Sequence, residues 1–307
     1  MGEEAGRATR GGQLTPRFRH FVAIDWSGAQ GERQKGIAVA VATAEGGPPV
    51  LVEHVWSRAD VLAMLRDALP PDTLVGLDLG ISLPFVDAGA FFPGWDDSPP
   101  DARSLWALID RLCADDPHLG ATSFVDHPDL APFFRRHGGR EGARFHMPEA
   151  LHRRGRFRVT EQAQERLGCK PYSNFNLVGA AQVGKSSLTG MRVLHRLEGS
   201  VPVWPVDGIA PPEAGSLIVE IYTAIASVEA RRRAGRSKIR EGADLDAALA
   251  ALGSPPAGRP GAITDHAADA ILTAAWLRAN AANEALWLPR DLTAHIARTE
   301  GWTFGAP

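Results

Sequence analysis

Phe21-Val22-Ala23-Ile24-Asp25-Trp26-Ser27-Gly28-Ala29 runs four apolar residues into a carboxylate and then into a small, turn-prone Ser-Gly pair. That pattern predicts a buried strand delivering Asp25 to its end. A buried carboxylate costs on the order of several kcal/mol unless a cation, a metal or a set of donors meets it. Partners for Asp25 are therefore expected elsewhere in the chain.

Outward from Asp25, residues 36–42 and 49–56 read as two more strands with Gly46-Gly47-Pro48 as the turn between them, so the chain opens on a three-strand meander. Ser57 is placed to cap a helix over 58–69, and Pro70-Pro71 ends it. Residues 73–80 form a fourth apolar strand, again carrying a carboxylate, Asp78, into a Gly-containing exit. The pattern then dissolves into Pro, Gly, Asp, His and Arg over about 85–170, with one amphipathic helix near 104–113. So long a stretch predicts an insertion with a function of its own. Its arginines, Arg153, Arg154 and Arg156 among them, outnumber Glu141 and Glu149, which suits either a solvated face or a phosphate-binding arm. Order returns at 172–178 and 187–197. A strand over 215–222 leads into a helix over 224–233, and a basic patch around Arg231 to Arg240 and a short helix over 245–252 follow. Thr264 is an N-cap for a last helix that begins Asp265-His266-Ala267-Ala268-Asp269.

The 307 residues carry a formal charge of -3 with a pI near 6.4. That argues against a globally basic nucleic-acid coat and leaves room for a local basic groove. Cys113 and Cys169 lack the spacing of a disulfide framework or a zinc site, and a reducing, cytoplasmic setting is expected. Residues 1–17 have no apolar core and read as a disordered tail. No apolar run approaches the roughly 18–20 residues of a membrane span, so no membrane partner is expected. The remaining 18–300 are expected to form one domain around the insertion.

Asp265 and Asp269 stand one helical turn apart, and the helix N-terminus offsets their repulsion by about 0.3–1 kcal/mol. That accounts for the pair but not for Asp25 or Asp78. Carboxylates at two strand ends and on a helix are oxygen donors of the kind Mg²⁺ or Mn²⁺ prefers. The order of these elements resembles the ribonuclease H-like superfamily. The segment 266–270 is similar to the closing helix of RuvC-type resolvases. More closely, Ala23 to Ala29, 77–84, Val219-Glu220-Ile221-Tyr222 and 265–275 resemble the predicted nucleases catalogued as domain of unknown function 429. The resemblance implies an α/β, ribonuclease H-like mixed sheet, an antiparallel three-strand meander plus parallel strands, flanked by helices and with a large insertion after the fourth strand. It implies metal-ligand positions for Asp25, Asp78, Asp269 and either His266 or Asp265. Asp78 departs from the resolvase pattern, which usually has Glu there. The chemistry implied is hydrolysis of phosphodiester bonds in nucleic acid, with two ions about 3.5–4 Å apart. Glu220 is a candidate fifth catalytic carboxylate or an outward residue on an alternating strand. Lys185, with Arg153, Arg154 and Arg156, is a candidate phosphate contact.

Three further readings share these residues. Gly179-Ala180-Ala181-Gln182-Val183-Gly184-Lys185-Ser186 matches the GxxxxGK[ST] phosphate loop, which would make the chain a nucleotide-binding phosphotransferase or NTPase. Against it stand the short, Asn-interrupted run 175–178 before it and Thr189-Gly190, expected to interrupt the helix after it. Asp25-x-Ser-Gly and Asp78-Leu-Gly also look like the phosphate loops of sugar kinases and actin-like ATPases. The third reading is a non-catalytic nucleic-acid or protein binding module on the same fold.

Overall fold

The computed structural model describes residues 17–147, 155–178, 183–230 and 238–307. The expected tail before residue 17, Arg153, Arg154, the opening Gly179-to-Gln182 half of the phosphate-loop match and the basic patch from Arg231 to Arg236 lie outside them.

The meander forms as β1 (His20–Asp25), β2 (Ala38–Thr43) and β3 (Val50–Leu51). β3 is shorter than its apolar run because it is the sheet edge, and past Leu51 the exposed Val52 and Val55 have nothing to pack on. Helix α1 (Arg58–Asp67) starts in a reciprocal cap. Ser57 Oγ accepts the Asp60 N–H at 2.9 Å while the Asp60 carboxylate accepts the Ser57 N–H at 2.9 Å. Strand β4 (Thr73–Asp78) follows, then α2 (Ala102–Leu112), α3 (Thr122–Asp126), a small hairpin of β5 (Arg135–Arg136) and β6 (Arg140–Glu141), and α4 (Val159–Arg166). The chain continues through α5 (Val183–Arg196), β7 (Val203–Trp204), β8 (Leu217–Glu220), α6 (Thr223–Glu229), α7 (Gly242–Ala251), α8 (Asp265–Asn280) and α9 (Ala294–Thr299).

The main sheet has six strands in the order β3-β2-β1-β4-β8-β7. The meander pairs are antiparallel, and β1 with β4, β4 with β8 and β8 with β7 are parallel. The architecture is a mixed α/β sheet with helices on both faces. Val22, Ile24, Val75 and Leu77 pack toward α1, α2 and α5, while Phe21, Ala23, Leu74 and Val219 pack toward α8 and the end of the chain. Burial on both faces is why β1 reads as an unbroken apolar run. On the α8 side the sheet offers Ala23, Ala40 and Gly76, and a Cβ at Gly76 would strike Ile221 and Leu277. Small residues there let the Ala-rich α8 sit close to the strands.

Three expectations change. The stretch 85–170, expected as an irregular insertion with a single helix, holds α2, α3 and α4, a hairpin and a ring cluster. Phe91, Phe92, Phe124 and Phe133 share a core with Val75 and Leu77, and Phe92 meets Phe133 edge-on at 5.3 Å. Isolated aromatics between Pro and Gly carry no periodicity, so this packing left no local signal. Thr189-Gly190 does not interrupt α5, because Gly190 is the point where the helix presses on Leu79. The core also runs past residue 300: Trp302, Phe304 and Ala306 are fully buried, and Thr303 bridges to Glu220.

Candidate functional site

Parallel pairing sets Asp25 of β1 opposite Asp78 of β4 at the ends of adjacent strands. Strand alternation then turns both toward α8. Asp25 shares its face with Phe21 and Ala23, and Asp78 shares its face with Leu74 and Gly76. Helix α8 begins behind the Thr264 side chain, which accepts the Ala267 N–H at 3.2 Å. Its first turns bring His266 Nδ1 within 2.6 Å of Asp25 Oδ2 and set Asp269 close enough to act on both strand carboxylates.

The electrostatics are those of crowded like charges. Burial, then Asp25 and Asp269, raise the Asp78 carboxyl well above its ordinary range, against the Thr223 N–H, and the Thr223 hydroxyl adds a 3.5 Å contact. Burial and then Asp25 push Asp269 up to about 7. Asp25 is also raised by burial, opposed by the hydrogen bond from His266, and that bond in turn raises the imidazole. Among the described residues no Lys or Arg forms an ion pair with any of the three aspartates. By donor chemistry the set suits a hard divalent cation. As placed, however, no three His, Cys, Asp or Glu side chains among the described residues close on one point as a metal-binding group.

Of the other candidates, Asp265 stands apart. Lys238 and Arg240, the latter at 3.4 Å, hold its carboxylate and keep its pKa low, so the partner of Asp25 is His266. Glu220 is not the outward residue of an alternating strand. It pairs in register with Leu77, one residue short of Asp78, and so projects to the opposite sheet face. There it is buried rather than outward, lines the same cleft as Asp78 and adds to the charge that raises the Asp78 carboxyl. It accepts from Arg158 at 2.6 and 2.8 Å, from the Ile81 N–H at 2.8 Å and from Thr303. Arg156 corrects the phosphate-contact expectation. It is fully buried, bidentate to Asp87 at 2.6 and 2.7 Å, and its other hydrogens go to the carbonyls of Phe91, Ala90 and Pro84.

A cleft of about 310 Å³ opens at these strand ends, walled by Ser27, Asp78, Arg158, Tyr172, Asn174 and Ser186. Reading the sequence missed Tyr172 and Asn174 as walls and Arg158 as the partner of Glu220. The only local signal was Arg158 three residues before Glu161, which it binds at 2.6 Å. The glycines after both strand aspartates have packing reasons. A Cβ at Gly28 would collide with the Lys185–Ser186 backbone, and one at Gly80 with Asn174. Both glycines are thus accounted for without the kinase-type phosphate loops. The run 175–178 enters no strand of the main sheet and meets only Arg135 in an isolated bridge, so the parent strand that a GxxxxGK[ST] loop needs is absent there.

No helix among the described residues is long and apolar enough to cross a membrane. Compared with family models, curated proteins and solved structures, the chain shows no match.

Proposed function

We propose that the chain is a divalent-metal-dependent nuclease of ribonuclease H-like fold that hydrolyses phosphodiester bonds in nucleic acid at the Asp25, Asp78 and Asp269 cluster. The observation that carries this reading is the in-register pair Asp25 and Asp78 with Asp269 close by, none of the three ion-paired to a Lys or Arg among the described residues. The strand order, with its antiparallel meander beside parallel strands, supports the same reading at the level of the fold.

Asp25, Asp78 and Asp269 would hold Mg²⁺ or Mn²⁺, which when bound supplies positive charge to the phosphoryl oxygens and to the attacking water. His266 holds Asp25 in one orientation through the 2.6 Å bond. The Arg158–Glu220 pair fixes the backbone at Ile81, just beyond Asp78, and so stiffens the cleft wall. The buried Trp26, bonded to Thr189 at 3.1 Å, anchors the loop after Asp25 to α5.

The test is a panel of single-stranded, duplex and branched DNA and RNA substrates with Mn²⁺, with Mg²⁺ and with chelator. Wild type cuts at least one substrate in a metal-dependent way. Asp25→Asn and Asp269→Asn lower the rate by about 10²-fold or more while melting as folded proteins. Cleavage that survives Asp25→Asn rejects the proposal.

A further inference from the structure

A second cavity, of about 360 Å³, adjoins the carboxylate cleft. The contact of Gly28 with the Lys185–Ser186 backbone divides the two: Ser186 lines the first and Lys185 the second. The wall of the second cavity includes Arg58, which is 2% exposed. Its guanidinium donates to Ser27 O at 3.1 and 3.2 Å, to His118 O at 2.8 Å and to Ala29 O, all neutral acceptors. Among the described residues no carboxylate pairs with it. The nearby buried Arg192 has its own counter-charge in Asp110 at 2.8 Å, and Asp110 also serves Arg196. Burial and then Arg192 accordingly push Arg58 down to about 10. A buried cation surrounded only by carbonyls is costly until an anion joins it.

Lys185 lies in the first turn of the fourteen-residue α5, and its ammonium has no hydrogen bond or ion pair among the described residues, while its carbonyl accepts from the Thr189 hydroxyl at 2.9 Å. The cavity wall also contains Asp116, but its carboxylate is engaged by the Ser123 N–H at 2.9 Å and hydroxyl at 2.5 Å. Val125 and Leu188 complete a partly apolar wall.

We propose that this second cavity binds a phosphate group, with Arg58 and Lys185 as its two cations. The phosphate belongs either to a nucleotide flanking the cleaved bond, which rests on the nuclease reading, or to a free nucleotide, which does not.

Titration calorimetry in chelator with inorganic phosphate, a mononucleotide and a short oligonucleotide tests this on wild type, Asp25→Asn, Lys185→Ala and Arg58→Lys. Inorganic phosphate is expected to bind wild type and Asp25→Asn alike and to bind Lys185→Ala about tenfold more weakly. Arg58→Lys keeps the charge but loses the fork, and it weakens binding as well. Should that variant fail to fold in a melting scan, Lys185→Ala decides. Oligonucleotide affinity that falls with Lys185→Ala and is competed by phosphate assigns the site to the substrate strand. Mononucleotide affinity that falls while oligonucleotide affinity holds assigns it to a free nucleotide. No phosphate binding by wild type, or equal binding by Lys185→Ala, overturns the proposal. Loss of the nuclease reading alone leaves phosphate binding to Asp25→Asn intact.

Discussion

Asp78 sits among charges of its own sign, and its raised carboxyl pKa has a direct consequence for stability. A carboxyl whose folded pKa lies above its unfolded value costs stability as pH rises above that unfolded value, so at neutral pH the acid at Asp78 is destabilising. Asp78→Asn keeps the shape and removes one of three crowded charges. In chelator, calorimetry is expected to show Tm higher by about 2–4 °C, with cleavage lost. A lower Tm would mean that the charge is compensated in the folded protein. Arg158 presents the opposite case. It lies between two buried carboxylates, Glu161 and Glu220, and also donates to Glu300 O at 2.9 Å. Replacing it by Met leaves both buried acids without their cation, a loss of about 3–5 kcal/mol in urea unfolding. Glu220→Gln, which leaves one acid for the guanidinium, is expected to cost less. The sequence marks all these residues as charged, but it does not distinguish the charges that repel one another at a site from those that lock a core.

Helix α8 is the element on which the aspartate cluster depends, and its start is set by local chemistry. Thr264 closes the first turn onto Ala267, and that turn carries His266. Thr264→Ala is expected to cost about 1 kcal/mol, with faster hydrogen exchange at Ala267 and Ala268. Cleavage should fall further than this global loss explains, because fraying releases His266 from Asp25. An equal fall in the two would assign Thr264 to stability alone. The caps at Ser57 and Thr264 were readable because a cap involves side chain and backbone only three residues apart. Strand β8 shows where such reading stops. Its alternation sets Glu220 with Ile218 rather than with Val219, but only the pairing with β4 shows that this parity faces away from α8.

Across the whole molecule, the helical layer opposite α8 is clamped by ions. Asp110 of α2 binds Arg192 and Arg196 of α5 at 2.8 and 2.9 Å. Burial raises the Asp110 pKa, but these two bonds outweigh it and hold the carboxyl below its ordinary 3.8. The pair's contribution is therefore full above pH 3.8 and is lost as pH falls through the lower folded value. Asp110→Asn is expected to lower stability at neutral pH by about 1–3 kcal/mol and to flatten the acid limb of a stability–pH curve. An unchanged acid limb would place acid sensitivity elsewhere. From sequence alone came the buried strands ending in Asp25 and Asp78, the meander, and the capped helix bearing His266 and Asp269. Each of these follows from periodicity or capping within a few residues. Only the tertiary structure decided which charges meet: it joined His266 to Asp25, gave Asp265 to Lys238 and Arg240, turned Glu220 toward Arg158 and buried Arg156 on Asp87. Those pairings are set by strand register, by the sheet face each residue occupies and by partners tens to hundreds of residues away, and a one-residue change in parity would reverse them.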